Sequence, residues 1–222
     1  MLDICGATWT DVGRTKGFAA VLPYVKGEAA GYPVLFPPIL KHGDVVMNQT
    51  PAILMYLAAL YGLEPANLVE RAHAMEVSLL ALDCLSNAEK AYHPKEAHGS
   101  YASQHKEAEP TVAAFMESRL PRFLAVFERA FAANPTGSGW AVGGALSFAD
   151  VVLYNFARGY RSSQPAHWKA NAAIPLLKAH AAKMDALPRV AAFLASDRCT
   201  KMEAPTSSPL AEKPNVQVNS FM

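Results

Sequence analysis

Apolar positions over residues 1 to 63 fall in short runs broken by Gly and Pro, whereas from Leu68 onward they recur at helical spacing. The change predicts a small α/β unit over residues 1–63 and an all-helical unit over residues 67–200. A loose tail over residues 201–222, rich in Pro, Ser and polar residues, completes the chain. In the first unit, "MLDICGA" reads as a helix end closed by Gly6. "TWTDV" reads as a short strand, and "GFAAVLPYV" as a turn or two of helix broken at Pro23. "GRTKG" (Gly13 to Gly17) lacks the spacer of a phosphate loop and reads as a solvated turn. Phe36 to Leu40 and Val45 to Met47 read as paired strands about Lys41-His42-Gly43-Asp44, with Gly43 supplying positive φ. A helix follows, with Thr50 as N-cap and Pro51 at its first position. Ile53, Tyr56, Leu57 and Leu60 lie at helical spacing, and Gly62 is the stop.

In the second unit, Leu68, Ala72, Met75, Leu79 and Leu82 form one stripe, on a helix that runs to about Tyr92 and ends at His93-Pro94. Val112, Phe115, Leu120, Phe123, Leu124 and Phe127 form another, with a kink at Pro121. "NPTGSG" is a loop. Further helices begin at Ser147, near Ile174-Pro175 and after Pro188. Ser147 and Asp150 make an Asp variant of the capping box, flanked by Leu146 and Val151 at staple positions.

Composition narrows the function classes. The chain has 222 residues, 51% hydrophobic and 18% charged, with a net charge of +1. That supports a sizeable core and implies no pull toward nucleic acid or membrane. No run is long enough to span a bilayer, and "MLDICGATW" lacks a signal-peptide layout. Cys5, Cys84 and Cys199 are scattered, which argues against a disulfide framework and for a reducing, cytoplasmic setting. His93, His98 and His105, with Cys84 upstream, match no zinc spacing, so no metal is expected. There is no Gly-x-Ser-x-Gly elbow.

The candidate chemistry sits in "PPILKHGDVVMNQTPAIL" (Pro37 to Leu54). A helix start offers unpaired N–H groups and the positive end of the dipole, a combination that binds carboxylates and phosphates. Thr50 adds a hydroxyl and Gln49 an amide that donates and accepts, so together they suit the ammonium and carboxylate of an amino acid. Pro37-Pro38 ahead of the strand suits a cis bond. The bland reading stands beside this one: Thr-Pro is ordinary capping and Gln49 a solvated turn residue.

Pro38-Ile39-Leu40, the Gly43-Asp44 turn, Gln49-Thr50-Pro51-Ala52-Ile53 and Tyr56-Leu57-Ala58 resemble the cytosolic glutathione transferases. In that family a cis-proline, a hairpin and "Q-S-x-A-I-x-x-Y-L" close a thioredoxin-like half. "ALSFADVVLYN" (Ala145 to Asn155) is similar to the family's "S/T-x-A-D" capping box, and "RLPRFLAVFER" and "PRVAAFLASDR" resemble a sigma-like branch. The likeness covers residues 6 to 199 and implies a thioredoxin-like N-terminal domain followed by an all-helical C-terminal domain. It implies that Gln49 and Thr50 hold the γ-glutamyl end of glutathione, that Pro38 is the cis-proline, and that the backbone at Pro37 faces the cysteinyl part. Asp83 is either the carboxylate that reaches a partner's glutathione across a homodimer or a solvated helix residue. Glutathione is then the co-substrate, and a small apolar electrophile lies against the helical half near Tyr92 and His93.

Two departures qualify the resemblance. Pro37 has no N–H, so one hydrogen bond to glutathione is lost while the carbonyl remains. In the family, a first strand and most of a first helix precede the segment that "MLDICGATWTDV" resembles, and they carry the Tyr, Ser or Cys that assists the thiol. Lowering a thiol by two pKa units takes about 2.7 kcal/mol of preferential thiolate stabilisation. No residue here is assigned to that task, Tyr24, Tyr32 and Cys5 being read as packing or surface groups. The expectation is therefore a transferase whose catalytic residue is unknown, or a non-catalytic binding or scaffolding protein of the same fold.

Overall fold

A computed structural model describes residues 1–97 and 99–199. The 201–222 tail and His98 lie outside the described residues. The chain divides into two compact units, Met1–Glu64 and a second from Pro65 onward.

The first unit opens with three short helices, α1 (Leu2–Cys5), α2 (Val12–Lys16) and α3 (Leu22–Val25). Gly6 closes α1 at φ 70, ψ 24, where a Cβ would be disfavoured. The expected strand at "TWTDV" does not form. Asp11 instead accepts the Arg14 N–H at 2.9 Å and caps α2, so local side-chain capping overrides the strand propensity of Thr-Trp-Thr. "GRTKG" accordingly lies mostly within α2 rather than in a turn. Pro23 sits in the first turn of α3, where a proline is tolerated.

Strands β1 (Ile39–His42) and β2 (Val45–Asn48) pair antiparallel, with Ile39 opposite Asn48 and His42 opposite Val45. The turn is therefore two residues, Gly43-Asp44, with Gly43 at φ 60. Gly31 approaches the hairpin so closely that a Cβ there would meet Val46 Cγ2 at 2.6 Å. Helix α4 (Thr50–Tyr61) follows and ends on Gly62 at φ 68. Its buried residues are Leu54, Leu57 and Ala58, which with Val46 form a small core. Leu60, expected inside, is half exposed.

The second unit is helical. The 25-residue α5 (Leu68–Tyr92) packs against α6 (Tyr101–Ala114), α7 (Leu120–Ala133) and α8 (Phe148–Ser163). Asn67 caps α5 by accepting the Glu70 N–H at 2.9 Å. The face of α5 turned to the core is not the expected one. Ala74, Val77, Ser78, Ala81, Cys84, Leu85 and Ala88 are buried, whereas Leu68 is 80% and Leu79 45% exposed. Small residues let α8 approach α5 closely, so the larger apolar side chains point outward. Between α6 and α7 the chain widens into a π turn, Phe115–Arg119, and Pro121 sits in the first turn of α7, where a proline is tolerated, while the backbone break in this stretch falls at Gln104 of α6 (φ −136, ψ 17). Three shorter helices follow: α9 (Pro165–Ala170), α10 (Pro175–Asp185) and α11 (Pro188–Leu194). Glu128 of α7 caps α10, its carboxylate accepting the Leu177 N–H at 2.8 Å and the Leu176 N–H at 3.1 Å. Phe127, Leu120, Leu153, Ile174, Leu177 and Met184 fill the core. Among the described residues no helix is long and apolar enough to cross a membrane.

Candidate functional site

The hairpin register sets the geometry of the first candidate site. Because Ile39 pairs with Asn48, Pro38 and Gln49 are the next residues outward on adjacent strands, at the end away from the Gly43-Asp44 turn. The Pro37–Pro38 peptide bond is cis. The structure thus brings Pro37, Pro38, Gln49 and Thr50 to one end of the hairpin, where α4 begins.

Gln49 rather than Thr50 is the N-cap, and Thr50 and Pro51 are the first helical residues. The N-cap shifts because Gln49 adopts φ 71, ψ 117, the only positive φ at a non-glycine among the described residues. Such a backbone costs on the order of 1–3 kcal/mol and persists only where its surroundings impose it. Here the paired Asn48 fixes one side and the helix start the other. Gln49 is exposed and its side chain makes no capping bond, while Thr50 is half-buried. The first turn of α4 carries no acidic residue, so its N–H groups and dipole meet no carboxylate of their own helix there.

Asp83 lies on the exposed side of α5, its backbone carbonyl accepting a bond from the Asn87 side chain at 2.7 Å. Tyr92 and His93 stand together at the end of α5. Tyr92 is buried, and its hydroxyl accepts the Gln164 Nε2–H at 2.7 Å. His93 Nδ1 is 3.3 Å from Nε2 of Gln104, whose side chain also ties Lys95, Glu96 and Ser100. His93 therefore helps to fasten the α5–α6 loop. Tyr92 also lines a small apolar recess bounded by α5, the π turn and α8.

Ser147 and Asp150 form the capping box at the start of α8. The Asp150 carboxylate, fully buried, accepts Ser147 N–H at 2.8 Å, the Ser147 hydroxyl at 3.1 Å and Ala141 N–H at 2.8 Å. A fourth donor is His180 Nε2 of α10 at 3.0 Å. His180 Nδ1 is buried with no hydrogen-bond partner among the described residues, and the ring lies between Phe131 and Trp140. Asp150 is thus a structural hub joining a loop and two helices. His180 was the missed member, and its signal was present: it shares a helical stripe with Leu177 and Met184. Gln164, the partner of Tyr92, carried no comparable signal.

The cysteines offer no nucleophile in the helical core. Burial pushes the Cys84 thiol up to about 12, against a smaller opposing pull from Arg119. Among the described residues no group of His, Cys, Asp and Glu is arranged to hold a metal. A further network joins α8 to α10: Tyr154 donates to Asp185, which also accepts Arg161 Nη1 at 2.7 Å. Burial works to raise Asp185, but the bonds from Arg161 and Tyr154 outweigh it and hold the carboxyl below its ordinary value.

The pattern described as "Glutathione S-transferase, C-terminal domain" matches residues 93–197. Glutathione S-transferase P 1 of Xenopus laevis is 30% identical over 164 residues, covering 74% of this chain and 70% of that protein. Glutathione S-transferase Mu 5 of Rattus norvegicus is 28% identical over 185 residues, covering 82% and 71%. Among solved structures, the monomeric Na-GST-3 of Necator americanus superposes with a TM-score of 0.67 at 20% identity, covering 90% of each chain. The glutathione S-transferase of Ascaris lumbricoides gives 0.63 at 22% identity, covering 87% of each. These two establish the fold: a thioredoxin-like N-terminal unit followed by a helical C-terminal unit. The chain belongs to the glutathione S-transferase family.

Proposed function

We propose that this chain binds glutathione through Gln49, Thr50 and the first turn of α4 and conjugates it to small apolar electrophiles. The observation that carries this is Gln49 at φ 71, exposed, with its amide spent on no cap. A backbone held in a costly conformation presents a donor–acceptor side chain beside a helix start lacking acidic neighbours. That is a cradle for an amino acid's ammonium and carboxylate. The Pro37 carbonyl is the acceptor proposed for the cysteinyl part, and Tyr92 and His93 are the residues proposed to meet the electrophile. No residue of this chain is assigned to activating the thiol.

A second reading, glutathione binding without conjugation, has one specific support: Pro37 has no N–H to donate. Calorimetric titration with glutathione and an assay with a chlorodinitrobenzene-type electrophile separate the two. Binding with turnover supports conjugation, binding alone supports the second reading, and failure of both overturns the site.

A homodimer is proposed on the exposed face of α5, where Leu68, Val69 and Leu79 are 80%, 64% and 45% exposed. Asp83 is then the residue proposed to reach a partner's glutathione. No disulfide joins Cys5, Cys84 or Cys199, in keeping with the proposed cytoplasmic location. Within the family, the sigma-like affiliation is a proposal from the sequence resemblance; the relatives above carry P and Mu names.

A further inference from the structure

The side-chain amide of Gln104 is held so firmly that it dictates where its neighbour His93 carries a proton. Gln104 belongs to α6 but is 2% exposed, and α6 leaves helical geometry at this residue (φ −136, ψ 17). Its Oε1 accepts the backbone N–H groups of Lys95 at 3.0 Å and Glu96 at 3.2 Å. Its Nε2 donates to the Glu96 carbonyl at 2.9 Å. A backbone N–H only donates and a carbonyl only accepts, so both ends of the amide are fixed. Turning the amide over would set two N–H groups against its NH2 and a carbonyl against its oxygen. Gly99 closes the space beyond, where a Cβ would come within 3.1 Å of Gln104 Nε2.

The same Nε2 faces Nδ1 of His93 at 3.3 Å. An amide nitrogen has no lone pair to offer, so Nδ1 is the acceptor and the ring hydrogen of neutral His93 resides on Nε2. The opposite tautomer would bring two N–H groups face to face. His93 Nε2 bonds to nothing among the described residues, and the ring is half-buried rather than sealed in. The free nitrogen of His93 therefore carries a hydrogen, not a lone pair. A lone pair there would make a base; a hydrogen makes a donor, suited to a group that gains electron density.

We propose that Gln104 is a positioning residue that fixes His93 in the Nε2–H tautomer, so that His93 meets a bound electrophile as a hydrogen-bond donor and not as a base. The role given to His93 rests on the conjugation reading above. The tautomer is a property of the chain alone and is measured without glutathione, so the two fail separately.

Long-range proton–nitrogen NMR of the imidazole rings in the full chain at pH 8 reads the tautomer, with His93 assigned by its loss in His93→Gln. Wild type is expected to show the hydrogen on Nε2. Gln104→Glu, which replaces the amide nitrogen by an acceptor, is expected to move it to Nδ1, and Gln104→Met to leave a mixture of the two. Where Gln104→Glu does not fold, checked by circular dichroism, Gln104→Met decides. A hydrogen on Nδ1 in wild type, or an unchanged tautomer in the folded variant, overturns the positioning role. The donor role is read from kcat/KM with glutathione and a chlorodinitrobenzene-type electrophile. His93→Leu is expected to lose at least about tenfold, and His93→Gln, which keeps a donor, less than about threefold. Equal kcat/KM in these two variants overturns the donor role.

Discussion

Replacing Asp150 by Ala removes an acceptor that serves four donors. The Ser147 hydroxyl can rotate to find another partner, but Ala141 N–H, Ser147 N–H and His180 Nε2–H are fixed and buried. Each stranded donor costs about 1–3 kcal/mol, and the costs are not additive because the site relaxes. A net loss of about 4 kcal/mol is expected, which for a unit of this size lowers Tm by about 8–16 °C. Urea unfolding followed by circular dichroism reads the first figure and a thermal melt the second. Asp150→Asn keeps one acceptor oxygen and is expected to lose about half as much. A double-mutant cycle isolates His180, since Asp150→Ala made on a His180→Phe background strands one donor fewer and is expected to cost about 1 kcal/mol less. A loss below about 1 kcal/mol for Asp150→Ala would refute the hub.

At pH 8 the native chain is expected to show at most two thiols reactive toward a disulfide reagent, Cys84 reacting only on unfolding because burial holds its thiol near 12. Asp185 is held below its ordinary value, so its contribution is present above about pH 4 and lost as pH falls through the folded value. Asp185→Asn should therefore flatten the acid limb of a stability–pH curve. Leu68→Glu with Leu79→Glu should convert a dimer to a monomer by sedimentation, with little change in monomer stability since both residues are exposed. A monomeric wild type would remove the α5 face as an interface.

Local chemistry was the most legible part of the sequence. Gly6 and Gly62 end helices because each takes a left-handed φ, and Gly43 turns the hairpin for the same reason. Ser147 and Asp150 announce α8 three residues apart. What the letters did not disclose depended on partners far along the chain. The large apolar stripe of α5 suggested the wrong inner face, because the true one is built mostly of Ala, Ser and Cys, with Val77, Leu85 and Tyr92, packed against α8. "TWTDV" has strand-forming residues, yet one aspartate recruits the backbone to α2. In the candidate site, Gln49 and Thr50 stood out by residue type, but the positive φ that moves the N-cap to Gln49 has no sequence signature at a glutamine. Gln164 meets Tyr92 across 72 positions, beyond any local pattern.

The most direct test is calorimetric titration of glutathione into wild type and into the Gln49→Ala, Thr50→Ala double variant. Wild type should bind, and the variant should bind at least about tenfold more weakly, a difference of about 1.4 kcal/mol. Equal affinity in the two proteins would contradict the placement of glutathione at the start of α4.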